Sequence, residues 1–196
     1  MINLEKGQRI SMEKTLHKVG VGLGWDPNAN GGENFDLDAS AFMLGKNKKT
    51  PADKFFVFYN NPVSQDGAVS SSGDDRTGGN SADGDDETLT VNLDSVAPSI
   101  EEIVFIASIY EAEKRRQNFG QVRNAYIRIY NAETNEEIAR YDLEEDFSIE
   151  TVVEFGRLYR RNNEWRFEAM GIGNKNGLES QGTMPPWECL ITGASI

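Results

Sequence analysis

The chain is poor in the residues from which disulfides, thiolate metal sites and most catalytic centres are built. Among 196 residues there is one cysteine, Cys189, and one histidine, His17. A single cysteine excludes an internal disulfide, and with a single histidine it cannot make a Cys/His metal site. No run approaches the roughly 18 apolar residues of a membrane span. Met1–Gly20 holds no apolar segment of signal-peptide length. Positive charge is also scarce, with 20 Lys and Arg against 32 Asp and Glu and a net charge of −12. The basic runs at 46–49 and 114–116 are short, which argues against nucleic acid as a main partner. No GxSxG, HExxH, P-loop or GxGxxG pattern is present, so no common catalytic or nucleotide signature supports an enzyme. These absences predict a cytoplasmic protein in a reducing compartment, with no direct membrane insertion. The negative charge itself has two readings, solubility or the binding of cations.

What is present is a series of short apolar runs with turn residues between them. Val19–Trp25 alternates Val and Leu with glycine. Phe35–Leu44, Phe55–Tyr59, Thr88–Leu93, Ile103–Tyr110, Ala125–Tyr130 and Ile138–Leu143 follow. Thr151–Arg160 and Trp165–Met170 flank a hairpin turn around Asn162-Asn163. Pro98–Glu102 reads as a short helical turn, and Glu111–Gln121 as helix or loop. The number and spacing of strands predict a mainly β fold, a β-sandwich of two sheets with a few short helices.

Two acidic stretches stand out. In Phe35–Met43, read as a strand, Asp36 and Asp38 share the face opposite Phe35, Leu37, Ala39, Ala41 and Met43. Aspartate is depleted in strands, so the repeat is either a charged guard on a solvent-facing edge or half of a site. Asp26 precedes a turn and approaches the same edge if the flanking strands pair. The second stretch, SSGDDRTGGNSADGDDETL, carries Asp74, Asp75, Asp83, Asp85, Asp86 and Glu87 around one base, Arg76. It lies in a long polar span, 63–87, which is either functional or a solvated linker. Converging carboxylates repel by about 4 kcal/mol per pair at 4 Å and an effective dielectric near 20. They would splay, take up protons, or bind a cation. An all-oxygen donor set suits calcium or magnesium, and a glycine-rich loop with many carboxylates suits calcium better. No EF-hand spacing is present.

Seven motifs occur in an order that resembles the TerD family of tellurite-resistance and general-stress proteins. They are VGLGWD (21–26), FDLDASAFML (35–44), FVFYNN (56–61), GDDRTG (73–78), GDDE (84–87), RRQNFGQV (115–122) and ARYDL (139–143). The resemblance implies a β-sandwich over residues 1–180 that holds calcium, two ions by expectation, where the acidic stretches meet. By position it implies ligands at Asp26, Asp36, Asp38, Asp74, Asp75, Asp85, Asp86 and Glu87, with carbonyls near Arg76 to Gly78 assisting. It further implies a non-enzymatic stress-response role. Membrane-embedded tellurite-resistance proteins would be the partners, placing the chain peripheral to the inner membrane. A metal-dependent hydrolase and a small-molecule or nucleotide-binding module are the alternatives. Asp75 stands where asparagine is expected, and Gln181–Ile196 does not match the family and is expected to be a disordered tail. Asp83 and the small residues Gly79–Ala82 are expected to form a flexible span between two ligand sets.

Overall fold

Alternation of apolar and polar residues, the signature of a half-buried strand, runs through the computed structural model of this chain. The model describes residues 2–29, 31–79, 84–143 and 147–175. Two six-stranded sheets face each other. One has β1 (Ile2–Asn3), β10 (Glu137–Asp142), β9 (Tyr126–Asn131), β3 (Lys18–Gly24), β7 (Glu87–Asn92) and β6 (Val69–Ser71) in that spatial order. The other has β2 (Arg9–Ser11), β12 (Glu164–Asn174), β11 (Val152–Arg161), β8 (Ile100–Ile109), β4 (Leu37–Gly45) and β5 (Phe56–Val57). The mainly β sandwich is as the sequence predicts. The expected tail Gln181–Ile196 and the span 80–83 with Asp83 lie outside the described residues.

The core lies between the sheets. Val19, Val21 and Leu23 of β3, Leu89 and Val91 of β7, and Ile127 and Ile129 of β9 line one side. Leu37, Ala39, Ala41 and Met43 of β4, and Ile103, Phe105 and Ala107 of β8, line the other. A bulge between Glu154 and Gly156 rephases β11, so that Phe155 and Leu158 both face inward. Such an extra residue restores burial after the alternation slips. The outer face of the second sheet carries its own apolar cluster, Phe42, Leu44, Phe56, Val104, Ile106 and Val152. Phe42 stacks on Phe56 with ring centroids 4.0 Å apart.

Several boundaries differ from the sequence reading. The four edge strands β1, β2, β5 and β6 span only two or three residues each. Runs so short carry no periodic signal, and their brevity blunts edge-to-edge aggregation. The turn expected to be helical at 98–102 is a single hydrogen-bonded turn, Ile100 N donating to Ala97 O, and β8 starts at Ile100. The first residues of the expected 35–44 strand, Phe35 and Asp36, precede β4. The stretch 111–121 holds one turn of helix, α1 (Ala112–Arg115), and a 3₁₀ turn, Phe119–Gln121. The hairpin turn is where it was expected, with Asn162 and Asn163 both at positive φ, the geometry a two-residue type I′ turn requires.

Glycines 20, 22 and 24 of β3 leave a bare strip on the outer face of the first sheet. A Cβ at Gly20 would meet the Tyr130 ring, one at Gly22 the Asp85 carboxylate, and one at Gly24 the Tyr126 ring. Gly22→Ala, whose Cβ would stand 2.2 Å from Asp85 Oδ2, is expected to destabilise the fold by about 1–3 kcal/mol in urea denaturation. On the opposite sheet, Glu154 is buried beside Glu102, Glu168 and Arg157. Burial and then Glu102 push its carboxyl up to about 7, against the pull of Arg157. The folded state therefore holds a proton that the unfolded state releases near its ordinary value of 4.5. Stability contributed by that proton is full below about 4.5, is lost as pH rises to about 7, and is flat beyond. Glu154→Gln should remove this decline, on the order of 3 kcal/mol, in denaturation curves across that window.

Candidate metal centre

Glu87, the first residue of β7, is 3% exposed and points into the gap between the sheets. Its Oε2 accepts from Ala39 N of β4 at 2.6 Å, and its Oε1 accepts from Asp75 N of the acidic loop at 3.2 Å. One buried carboxylate thus ties both acidic stretches together. Asp38 on β4 and Asp74 in the loop close around it. One carboxylate oxygen from each of Asp38, Asp74 and Glu87 lies within 4.8 Å of the others. Calcium–oxygen distances of 2.3–2.6 Å put opposed ligands about 4.6–5.2 Å apart, so these three oxygens can share one ion. The donor set is hard and anionic, as calcium prefers.

The electrostatics show what the cluster lacks. Burial first, and then Asp36 and Asp74, push the Asp38 carboxyl up to about 7. Burial likewise pushes Glu87 up to about 8, with Asp38 and Asp74 adding to the rise and the two N–H donors opposing it. Asp36 is also raised by burial, with Arg115 opposing. Arg115 Nη1 stands 3.3 Å from Asp36 Oδ2 and its Nε 3.2 Å from Glu33. Arg76 Nε donates to Asp74 Oδ2 at 3.0 Å from an exposed position. Arg76 is exposed and Arg115 is taken up by Asp36 and Glu33, and Asp38 and Glu87 have no side-chain cation partner among the described residues.

The other expected ligands have different work. Asp75 turns back into its own loop, where Oδ1 accepts from Thr77 N, Thr77 Oγ1 and Gly78 N. Asp86 Oδ2 accepts from Trp25 N at 2.9 Å. Asp26 Oδ2 accepts from Asn124 Nδ2. Gly78, at positive φ, lies against Trp25, where a Cβ would stand 2.4 Å from Nε1. Trp25 in turn donates to Phe35 O at 3.1 Å from a buried position, as part of the fold. Asp85 is taken up by Arg128, whose Nε and Nη2 both reach Oδ2 at 2.7 Å. The geometry therefore gathers Asp38, Asp74 and Glu87, with Asp36 and Arg76 alongside. It uses Asp75, Asp85 and Asp86 to shape the loop and seat it on the first sheet, while Asp26 ties the end of β3 to the segment at 123–124. Among the described residues there is one such cluster of three acids. Arg128 escaped the sequence reading. Its signal was the glycine strip of β3, which needs large side chains from a neighbouring strand to cover it.

The model of the TerD domain matches residues 1–182. The chain belongs to the TerD family. It is 49% identical over 182 residues to the tellurium resistance protein TerD of Serratia marcescens, covering 91% of this chain and 94% of the relative. It is 51% identical over 181 residues to general stress protein 16U of Bacillus subtilis (strain 168), covering 90% and 93%. The crystal structure of a homologue of telluride resistance protein (TerD) from Streptomyces coelicolor A3(2) has the same fold. It superposes with a TM-score of 0.69 at 21% identity, covering 92% of this chain and 99% of that one. No helix among the described residues of this TerD-family chain is long and apolar enough to cross a membrane.

The Asp85–Arg128 pair anchors the end of the loop apart from the three-acid cluster. Arg128→Leu leaves a buried carboxylate uncompensated and should cost about 3–5 kcal/mol in urea denaturation. Adding Asp85→Asn should recover part of that loss.

Proposed function

We propose that this chain is a calcium-binding, non-enzymatic protein of the tellurite-resistance and stress-response type. In this reading the acidic loop is ordered against β4 and offers a surface to a partner. The observation that carries the reading is Glu87, which hydrogen-bonds both acidic stretches while sharing a three-carboxylate cluster with Asp38 and Asp74. A bound calcium ion would supply the positive charge that Asp38 and Glu87 lack. Asp38, Asp74 and Glu87 would hold it, and Asp36 would lie beside it. Glu87 then keeps Ala39 N and Asp75 N in register, so loop and strand order together. Tyr59, about two-fifths exposed, lies within reach of the charges of Asp38, Asp74 and Asp36, and Tyr110, equally exposed, is near Tyr59. They give the ordered end an aromatic rim of the kind enriched at interfaces. Membrane-embedded proteins of the same resistance system are the partners this reading favours, met from the cytoplasmic side.

A hydrolytic reading has less support. The single histidine, His17, pairs with Asp94 at 2.7 Å, and neither belongs to the acidic cluster.

Calcium that binds only the folded form raises stability by about 2.7 kcal/mol at a hundredfold excess over Kd. Differential scanning calorimetry should show the melting point rise with calcium and return with chelator. Asp38→Asn with Glu87→Gln should abolish the rise, and Asp85→Asn should leave it in place. Identical melting curves with calcium and with chelator would overturn the proposal.

A further inference from the structure

A concave surface of about 450 Å³ lies where the turn at 45–49 meets β8 and β11. That volume is within the range of small-ligand pockets. Four cations line it, Lys46, Lys48, Arg157 and Arg160, against two carboxylates, Glu101 and Glu102. The lining thus carries a formal excess of two positive charges in a chain whose net charge is −12.

The arrangement is more than a set of surface ion pairs. Glu102 is buried, and its two oxygens are engaged by Lys48 Nζ and by Arg157 Nη1. Glu168 holds the other edge of Arg157, at 2.7 Å from Nη2. Both cations are therefore fixed in direction while keeping unused donors, since lysine has three N–H groups and arginine five. Arg160 is fixed without a carboxylate among the described residues. Its Nη2 donates to Val96 O at 2.9 Å, its guanidinium lies 4.8 Å over the Trp165 ring, and its Nε is buried without an acceptor. Lys46 is exposed and has no ion pair among the described residues. Tyr159 supplies an aromatic wall beside Arg157. Oriented guanidinium and ammonium donors in excess over acceptors match the oxygens of a phosphate-type anion, and a concave site focuses their field.

We propose that this open, cation-lined depression binds a small soluble anion carrying a phosphate group. The acidic cluster does not cancel the site. Asp38 pairs with Ser108 at one end of β4 and β8, and Gly45 pairs with Ile100 at the other. Seven residues of strand separate them by about 23 Å, well beyond the screening length of about 8 Å in physiological salt. The site therefore stands whether or not the acidic cluster holds calcium.

Isothermal titration calorimetry of the full chain at low salt, with inorganic pyrophosphate as the probe, tests this. One saturable site is expected. Lys46→Gln with Arg160→Gln should weaken it about tenfold or more, while Glu133→Gln, on an exposed turn of the opposite sheet, should leave it within about twofold. Circular dichroism checks that the double variant folds. If it does not, Lys46→Gln alone, on an exposed turn, should still weaken binding about threefold. A parallel arm measures cosedimentation with phosphatidylcholine vesicles with and without phosphatidic acid. Vesicle binding without a pyrophosphate signal would overturn the assignment to a soluble ligand. No saturable heat, or equal heat in the wild type and the variants, would overturn the site itself.

Discussion

The end of the sandwich that holds the acidic cluster depends on one buried carboxylate. Glu87 begins β7 in the first sheet, yet its two oxygens serve the second sheet and the loop, through Ala39 N and Asp75 N. A carboxylate in that position satisfies the buried Ala39 N–H, which would otherwise lack a partner, and the part-buried Asp75 N–H of the loop. The same burial makes its charge expensive, and Asp38 and Asp74 beside it make it more so. The interaction that joins the sheets at this end therefore creates a demand for a proton or a cation. Structure and binding chemistry meet on the same side chain.

At several other buried acids the same demand is met from within, while Glu154 takes a proton instead. Asp85 is buried too, but Arg128 faces it across the glycine strip of β3. Glu102 and Glu168 are buried on the outer face of the second sheet, and Arg157 lies between them, 2.7 Å from each. Arg9 adds a second cation to Glu168. Asp36 has Arg115. In the acidic cluster Arg76 reaches only Asp74, from the exposed side, and the buried pair Asp38 and Glu87 is what makes it a candidate for an external ion. The distinction lies in which cation the fold brings near, since the acidic residues themselves are alike.

The second sheet thus carries opposite charge at its two ends. β4 and β8 run from Asp38 beside Ser108 to the turn bearing Lys46 and Lys48. Between them lies the apolar cluster around Phe42 and Val104, which separates the two polar regions without a charged residue of its own.

Much of this was legible in the sequence. Alternating Val, Ile and Phe against polar residues marks the long strands, and Asn162-Asn163 marks the hairpin, because both signals are local. The pair Asp36 and Asp38 and the run 74–87 marked the acidic end, because aspartate in a strand and many acids in a glycine-rich loop are both unusual. The edge strands β1, β2 and β6 were not legible, since two or three residues hold a strand only when a distant partner supplies the hydrogen bonds. Composition also could not rank the eight acids. Asp85 and Glu87 stand two residues apart in one motif, yet one meets Arg128 and the other meets Ala39, Asp75 and Asp38. The sequence by itself determined the strand pattern, the all-oxygen character of the acidic end and the lack of Cys/His chemistry, since these follow from residue type and local spacing. Only the tertiary structure decided which carboxylates are neutralised and which converge unpaired. A charge is compensated by what lies within a few ångströms of it, and here those neighbours come from strands far apart along the chain.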